Sequence, residues 1–186
     1  MRIDGNRVVL REPSPADRDE FLERVHASRR FHRPWTYAPD TPEGFDALVG
    51  RAEAPTERVH LICRVEDDVI VGVANLSQIF LGDFRSAYLG FFGFRPYARL
   101  GYMTEGVGLV LRVAFEDVGL HRVEANVQPG NERSIALLER LGFRREGYSP
   151  RYLKIGGRWR DHVRYAILAE EFLARDRGRR RAHRTR

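Results

Sequence analysis

The chain has 186 residues, 42% of them apolar, enough for one compact domain with a single core. Its longest nearly apolar run, "VIVGVANL", is far short of the roughly 20 residues that cross a bilayer, "MRIDGNRVVLRE" lacks the apolar core of a secretory signal, and Cys63 as sole cysteine excludes an intrachain disulfide and any multi-cysteine metal site, so a cytoplasmic protein is expected. The formal charge of +6 would suggest a nucleic-acid partner, but the last twelve residues, Arg175 to Arg186, hold seven Arg and one Asp and account for all of it.

In chain order, "RVVLREP" reads as a strand ended by Pro13. "SPADRDEFLERVHAS" then reads as a helix, with Ser14 as N-cap, Pro15 at the first helical position and a stripe of Phe21, Leu22 and Val25. A Pro- and aromatic-rich connection, "HRPWTYAPDTP", leads into a second helix around "EGFDALVGRAE"; long loops of this kind often line sites. "RVHLICRVEDDVIVGVANLSQIF" is two strands about a tight turn at Asp67-Asp68, with Cys63 as a small buried apolar residue, and "SAYLGFFGF" is another strand. After "RPYARLG" a helix is expected from about Met103 to Val118, then the strand "HRVEANVQP". "NERSIALLERLGF" is a helix with Asn131 as N-cap and Gly142 just past its end. "YLKIGGRWRDHVRYAIL" has two β-like arms about Gly156-Gly157, a hairpin signal. Strand, helix, strand across Phe91 to Gln128 implies one parallel pair with a right-handed crossover in an otherwise mostly antiparallel sheet. No repeat or second domain is visible, so residues 1–174 form one domain and the Arg-rich 175–186 a tail expected to be disordered. Electrostatic contact of that tail with RNA or a ribosome is the alternative.

The turn into the helix at Met103 carries chemistry. A helix N-terminus leaves backbone N–H groups unpaired and carries partial positive charge, so a tight loop feeding it suits phosphate oxygens. Gly101 lets the backbone turn and approach a ligand without a Cβ in the way. Gly106 and Gly108 cost about 1 kcal/mol each in helix propensity relative to Ala, which close approach to the sheet or to a cofactor would offset. No Gly-Lys-Ser/Thr comes after it, so this is not a P-loop. On these residues alone a plain structural turn is the alternative.

Together with the strand and helix downstream of it, the stretch resembles the GNAT superfamily of acetyl-CoA-dependent N-acetyltransferases. That family's pyrophosphate loop reads Arg/Gln-x-x-Gly-x-Gly/Ala; the matching positions here are Ala98, Gly101 and Met103, so only the central glycine fits strictly. "VEANVQPGNERSIALLERLGFRREGY" resembles the family's second block, a strand, Pro-x-Asn-x-x-Ser and a helix ending in Leu-Gly-Phe. "RYLKIGGRWRDHVRYAIL" is similar to the RimJ/RimL branch, which acetylates N-terminal amines of ribosomal proteins, with RimJ-type enzymes the nearer match. The resemblance runs from "VVLREPSPAD" to the last strand. It implies an α/β (α+β) fold, a single domain with a mixed, mostly antiparallel twisted sheet of about seven strands, one parallel central pair and about four flanking helices.

The resemblance also implies roles. Backbone of Arg99, Leu100, Gly101, Tyr102, Met103 and Thr104 would hold the pyrophosphate of acetyl-CoA, with Arg95 or Arg99 supplying charge in place of the side chain missing at Ala98. The pantetheine arm would lie between the central parallel strands against Phe92, Gly93 and Phe94, with Asn131 and Ser134 on its other side. Ser134 aligns with the serine proposed as general acid in RimL-type enzymes; a helix first-turn serine bonded to backbone is the alternative. The tyrosine that many GNAT members use falls at Leu138. Glu124 and Asn126, two apart on one strand, share a face; Glu124 is a candidate base, or a partner of Arg122. His32, Trp35 and Tyr37 are where an acceptor would dock, unless they form an apolar cluster under the loop. Asp161 and His162 have no ligand set around them, so no metal is expected.

An α-amine is roughly a tenth neutral at pH 7, a free lysine less than a thousandth, so an N-terminal acceptor asks little of a base, and direct attack in a ternary complex suffices. The acceptor is then a protein N-terminus, ribosomal by the resemblance. A small amine such as an antibiotic, polyamine or amino acid is the alternative, which a deep acidic pocket would favour where an open groove favours a peptide. A non-catalytic module binding acetyl-CoA and ribosomes is the third reading. Monomer and homodimer both remain open.

Overall fold

The structure is a computed structural model that describes residues 2–184, with side chains described for residues 2–178. Its strands are β1 (Arg2–Asp4), β2 (Val8–Arg11), β3 (Arg58–Arg64), β4 (Ile70–Phe80), β5 (Ser86–Gly93), β6 (Arg122–Val127), β7 (Arg144–Ile155) and β8 (Arg158–Leu168). Its helices are α1 (Arg18–His32), α2 (Pro42–Ala52), α3 (Tyr102–Arg112), α4 (Glu132–Leu141) and α5 (Ala169–Arg184). The strands form one sheet in the order β1-β2-β3-β4-β5-β6-β8-β7, in which β5 and β6 are the parallel pair and the other neighbours are antiparallel. The three-residue β1 is the strand beyond the expected seven, and α5 the helix beyond the expected four.

Local chemistry sets the boundaries. Asp17 Oδ2 accepts from both the backbone N–H (2.8 Å) and the hydroxyl (2.9 Å) of Ser14 at the entry to α1. Thr41 caps α2, its Oγ1 accepting from the Gly44 N–H at 3.2 Å, with Pro42 in the first turn. Asn131 caps α4 through the Ser134 N–H at 3.3 Å, and Gly142, at φ +99°, ends it in a left-handed turn. The helix expected from Met103 is α3, continued by a wider turn over Val113–Asp117.

The sheet lies between two helical layers. Phe21 and Val25 of α1 and Phe45 and Leu48 of α2 bury against Val9, Leu61, Cys63 and Val73. On the other face Val107, Val110 and Leu111 of α3 and Leu137, Leu138 and Leu141 of α4 bury against Leu10, Ile62, Ala74 and Val123. Each such side chain contributes about 1.5–3 kcal/mol. Burial pushes the Cys63 thiol up to about 12, consistent with an inert core residue. Strand β6 alternates strictly: Val123, Ala125 and Val127 are buried, while Glu124 and Asn126 share the opposite face.

The boundary expected after Ala174 falls inside α5. Phe172 packs at a tilt against Phe115 with ring centres 5.6 Å apart, and Asp176 accepts from both Nε (3.0 Å) and Nη2 (2.8 Å) of Arg112, so the first turns of the arginine segment are helical and anchored to the domain. Its side chains beyond Gly178 lie outside the described residues. No helix among the described residues is long and apolar enough to cross a membrane.

Candidate active site

The parallel pair does not stay paired. Its register covers only Ser86↔Arg122, Ala87↔Val123 and Tyr88↔Glu124, although β5 runs on to Gly93 and β6 to Val127. Beyond Tyr88 and Glu124 the strands splay, leaving facing backbone donors and acceptors without ladder partners. A cavity of about 1510 Å³ occupies the gap, lined by Phe92, Gly93 and Phe94 from β5 and its exit, Asn126 from β6, and the α3 and α4 ends.

At the α3 end the chain turns through Arg99 (φ +65°) and Gly101 (φ +87°). The first α-helical hydrogen bond is from the Glu105 N–H to the Gly101 carbonyl at 3.1 Å, so the N–H groups of Tyr102, Met103 and Thr104 precede the ladder. Unlike α2 and α4, α3 has no side-chain cap. Arg99, Leu100, Gly101, Met103 and Thr104 line the cavity, whereas Tyr102 packs on the core and faces Tyr97. Met103, where the family motif has a small residue, turns its side chain onto the sheet: a Cβ on Gly93 would meet its Cγ at 2.8 Å, and Gly72 also lies beneath it. Thr104 Oγ1 accepts from Arg140 Nη1 at 3.2 Å. Of the two cationic side chains expected beside this loop, Arg99 lines the cavity and Arg95 faces a separate opening; Arg7 also lines the cavity, its Nη1 donating to the Leu100 carbonyl at 3.1 Å.

Asn131 and Ser134 line the cavity from α4. The Ser134 N–H is used in the cap, but no protein partner is found for its Oγ among the described residues. Leu138 is fully buried in the core, so that position offers no proton donor. Asn126 lines the cavity with its Oδ1 buried and unpartnered, a state that costs about 1–3 kcal/mol unless a ligand or water supplies a donor. Glu124 is not brought to the cavity. It accepts from Arg122 Nε at 2.9 Å, and Arg122 is bonded in turn to Glu146, so the ion-pair alternative describes it.

The aromatic connection is divided. His32 lines the cavity from a buried position, its ring edge-on to Phe92 and tilted against Phe94, and its Nε2 donates to the Gly93 carbonyl at 2.9 Å, so α1 is pinned to the splayed strand. Burial holds the His32 pKa below the ordinary histidine range. Trp35 lines the cavity and is held by Gln128, whose Nε2 donates to the Trp35 carbonyl at 3.0 Å. Tyr37 is exposed, stacked by Arg33 and lying against Gly156 of the β7–β8 hairpin, outside the cavity lining.

Gln128 lines the cavity and is not among the expected site residues, and His162, expected only not to ligate a metal, lines it too. A hydrogen bond to Tyr152 keeps the Tyr88 phenol protonated, its pKa pushed up to about 12. Asp161 accepts from the Tyr148 hydroxyl and from the Arg151 N–H at 2.8 Å. His162 lines the cavity beside Leu153 and Ile155. Its Nδ1 lies 3.0 Å from the Arg160 carbonyl, which only accepts, so Nδ1 carries the proton and Nε2 keeps its lone pair. Burial depresses its pKa as well. The place of Gln128 and His162 in the cavity depends on which strands become neighbours, which local sequence does not state.

A side opening of about 460 Å³ shares Phe31, Trp35, Asn131 and Arg133 with the cavity. Arg30, Arg33, Arg95 and Arg133 surround it, none in an ion pair among the described residues, with Glu132 as the carboxylate in its lining. The carboxylates lining the main cavity are Asp4, Glu105 and Asp176, each engaged: Asp4 with Arg2, Glu105 with Arg7, Asp176 with Arg112. No group of His, Cys, Asp and Glu among the described residues could hold a metal ion.

Residues 7–144 match the family described as "Acetyltransferase (GNAT) domain". The "[Ribosomal protein uS5]-alanine N-acetyltransferase" of Escherichia coli (strain K12) is 31% identical over 180 residues, covering 92% of this chain and 93% of that protein. The "Probable N-acetyltransferase YjcK" of Bacillus subtilis (strain 168) is 40% identical over 174 residues, covering 89% and 96%. The solved structure "Mycobacterium smegmatis RimJ in complex with CoA-disulfide" superposes with a TM-score of 0.81 at 31% identity, covering 88% of this chain and 83% of that one.

Proposed function

The chain belongs to the GNAT acetyltransferase family, and from that premise we propose that it moves an acetyl group from acetyl-CoA to the N-terminal α-amine of a protein. A cofactor of that shape fits the residues present. The splayed edges of β5 and β6 offer main-chain partners to an amide-bearing arm, and the uncapped α3 N-terminus offers N–H groups to a pyrophosphate. Bound there, acetyl-CoA supplies an activated thioester acyl group.

The chain's own residues supply positioning and proton management. Asn126 Oδ1, buried and unpartnered, accepts a hydrogen bond from the incoming amine and orients its lone pair. Ser134 Oγ donates to the departing sulfur, and His162 Nε2 takes the proton shed by the amine. Phe92, Phe94 and His32 close the floor and exclude water.

The observation that carries the acceptor class is the charge around the mouth. Every carboxylate lining the cavity is paired, while four arginines rim the adjoining opening without carboxylate partners among the described residues. Such a rim repels a polyamine. A protein N-terminus brings one amine on an extended chain, to a cavity whose lining includes Trp35 and, from the β7–β8 hairpin, Leu153 and Ile155. The homologous uS5-alanine acetyltransferase points to a ribosomal protein as that acceptor.

The test is competition among acceptors: ribosomal proteins and Ala-initiated peptides, the same peptides blocked at the α-amine but carrying lysine, and spermidine, each with acetyl-CoA and read by intact mass. A single acetyl on free N-termini alone is the expected result. Faster acetylation of spermidine or of blocked peptides would overturn the reading.

A further inference from the structure

The loop that enters α3 has no cationic side chain of its own at Ala98, yet the structure brings a guanidinium to it from the other end of the sequence. Arg7 stands in the turn between β1 and β2. Its Nη1 donates to the Leu100 carbonyl at 3.1 Å and its Nε to Glu105 Oε2 at 3.3 Å, while the guanidinium carbon lies 5.1 Å from the centre of the Tyr102 ring. Nη2 has no partner among the described residues, and it stands 2.9 Å from where a Cβ on Gly101 would lie, at the head of the uncapped α3.

The turn carrying Arg7 is itself clamped. Glu105 Oε1 accepts from the backbone N–H groups of Asn6 (2.7 Å) and Arg7 (2.8 Å), and a Cβ on Gly5 would come within 2.8 Å of the same oxygen. One carboxylate on the first turn of α3 therefore holds a distant turn through two main-chain bonds and aims the side chain that turn presents. An exposed Arg–Glu pair by itself contributes only about 0–1 kcal/mol, so three anchors on one guanidinium are more than such a pair requires. They fix a planar donor group next to helix N–H groups that precede the ladder, an arrangement matched to phosphate oxygens.

We propose that Arg7 is the cationic contact for the pyrophosphate of the cofactor, and that Glu105 is the positioning residue that holds Arg7 in place. The inference rests on acetyl-CoA being the bound cofactor.

The experiment compares acetyl-CoA with S-acetylpantetheine, which carries the same thioester arm but no pyrophosphate. Calorimetric affinity for acetyl-CoA, its dependence on salt, and KM for both donors are measured for the parent protein, Arg7→Ala, Arg7→Lys and Glu105→Gln, with thermal unfolding as the check of fold. Arg7→Ala is expected to weaken acetyl-CoA at least tenfold, to flatten the salt dependence and to leave KM for S-acetylpantetheine unchanged. Arg7→Lys should recover part of the loss, because it restores charge but not the fork, and Glu105→Gln should show a smaller loss of the same pattern. If the parent binds acetyl-CoA and Arg7→Ala or, should that variant not fold, Arg7→Lys binds it equally well, the inference is overturned while the cofactor reading stands. Equal weakening of both donors would also overturn it, since that is what a merely structural role produces. A parent protein that binds no acetyl-CoA removes the cofactor reading itself.

Discussion

Two glycines of α3, two residues apart, should respond in opposite ways to the same substitution. Replacing either by Ala gains about 1 kcal/mol of helix propensity. At Gly108 the new methyl meets only Leu141 Cδ2 at 3.7 Å, an ordinary contact, so Gly108→Ala should keep most of that gain. At Gly106 the methyl would stand 2.6 Å from both Cδ1 and Cγ2 of Ile62 and 2.8 Å from its Cγ1. Ile62 is fully buried and β-branched, with no free rotamer to retreat into. Overpacking of this kind costs about 1–3 kcal/mol, so Gly106→Ala should be net destabilising by about 1 kcal/mol and should separate from Gly108→Ala by about 2. Urea unfolding at pH 7.5 measures both, and for a domain this size each kcal/mol moves the melting temperature by about 2–4 °C. A Gly106→Ala protein as stable as Gly108→Ala would refute the claim that Gly106 is there to let α3 approach β3.

Gly101→Val should lower acetyl-CoA affinity at least tenfold in a folded protein, because φ +87° excludes a β-branched residue and its Cβ would strike Arg7; unchanged affinity by calorimetry would rule out this loop as the phosphate site. His60 is buried with both ring nitrogens unpartnered, and burial depresses its pKa to about 4. The unfolded chain takes up this proton near pH 6.5 and the folded one does not, so stability is full above about 6.5 and falls by up to about 3 kcal/mol as pH drops toward 4. Comparing urea midpoints of the parent and His60→Leu between pH 4.5 and 7.5 tests this, and equal slopes would refute it. Ser134→Ala should lower kcat at least tenfold with little change in stability, since the cap uses the backbone N–H and not the hydroxyl. Asn126→Ala should raise the acceptor KM without destabilising the fold, because it removes an unpartnered oxygen; steady-state kinetics and thermal unfolding separate the two effects.

What was legible in the sequence is what local chemistry decides. Ser14 with Pro15, Asn131 and Gly142 mark helix ends by capping, a first-turn proline and a left-handed turn, and Gly156-Gly157 marks the hairpin. The parallel pair followed from strand, helix, strand, and the strict alternation of β6 put Glu124 and Asn126 on one face as expected. Alternation, however, gives the face and not the neighbours. Arg122, which also binds Glu146, claims Glu124, while the splay opens beyond it and exposes Asn126. His32 reads as a loop-end aromatic neighbour; α1 runs through it and carries it under β5 at the cavity edge, where the Gly93 carbonyl accepts its Nε2–H hydrogen bond. The expected tail boundary missed the Arg112–Asp176 pair because the two residues lie 64 positions apart.

The two departures from the family motif illustrate the same limit from the other side. Read locally, Met103 in place of a small residue crowds the phosphate loop. In the fold the side chain leaves the loop and settles on a floor from which two side chains are missing, Gly72 on β4 and Gly93 on β5. The bulk is therefore accommodated by glycines 31 and 10 residues upstream that no loop motif includes. Ala98 lacks the motif's Arg or Gln side chain, and besides Arg99 of the loop itself a guanidinium arrives from Arg7, 93 residues before the carbonyl it holds. A motif describes one solution to packing a helix N-terminus beside a phosphate; what physics requires is space beneath the first turn and a donor beside it. This chain departs from the motif and keeps both, and the compensating residues are found only once the sheet has brought β2, β4 and β5 together.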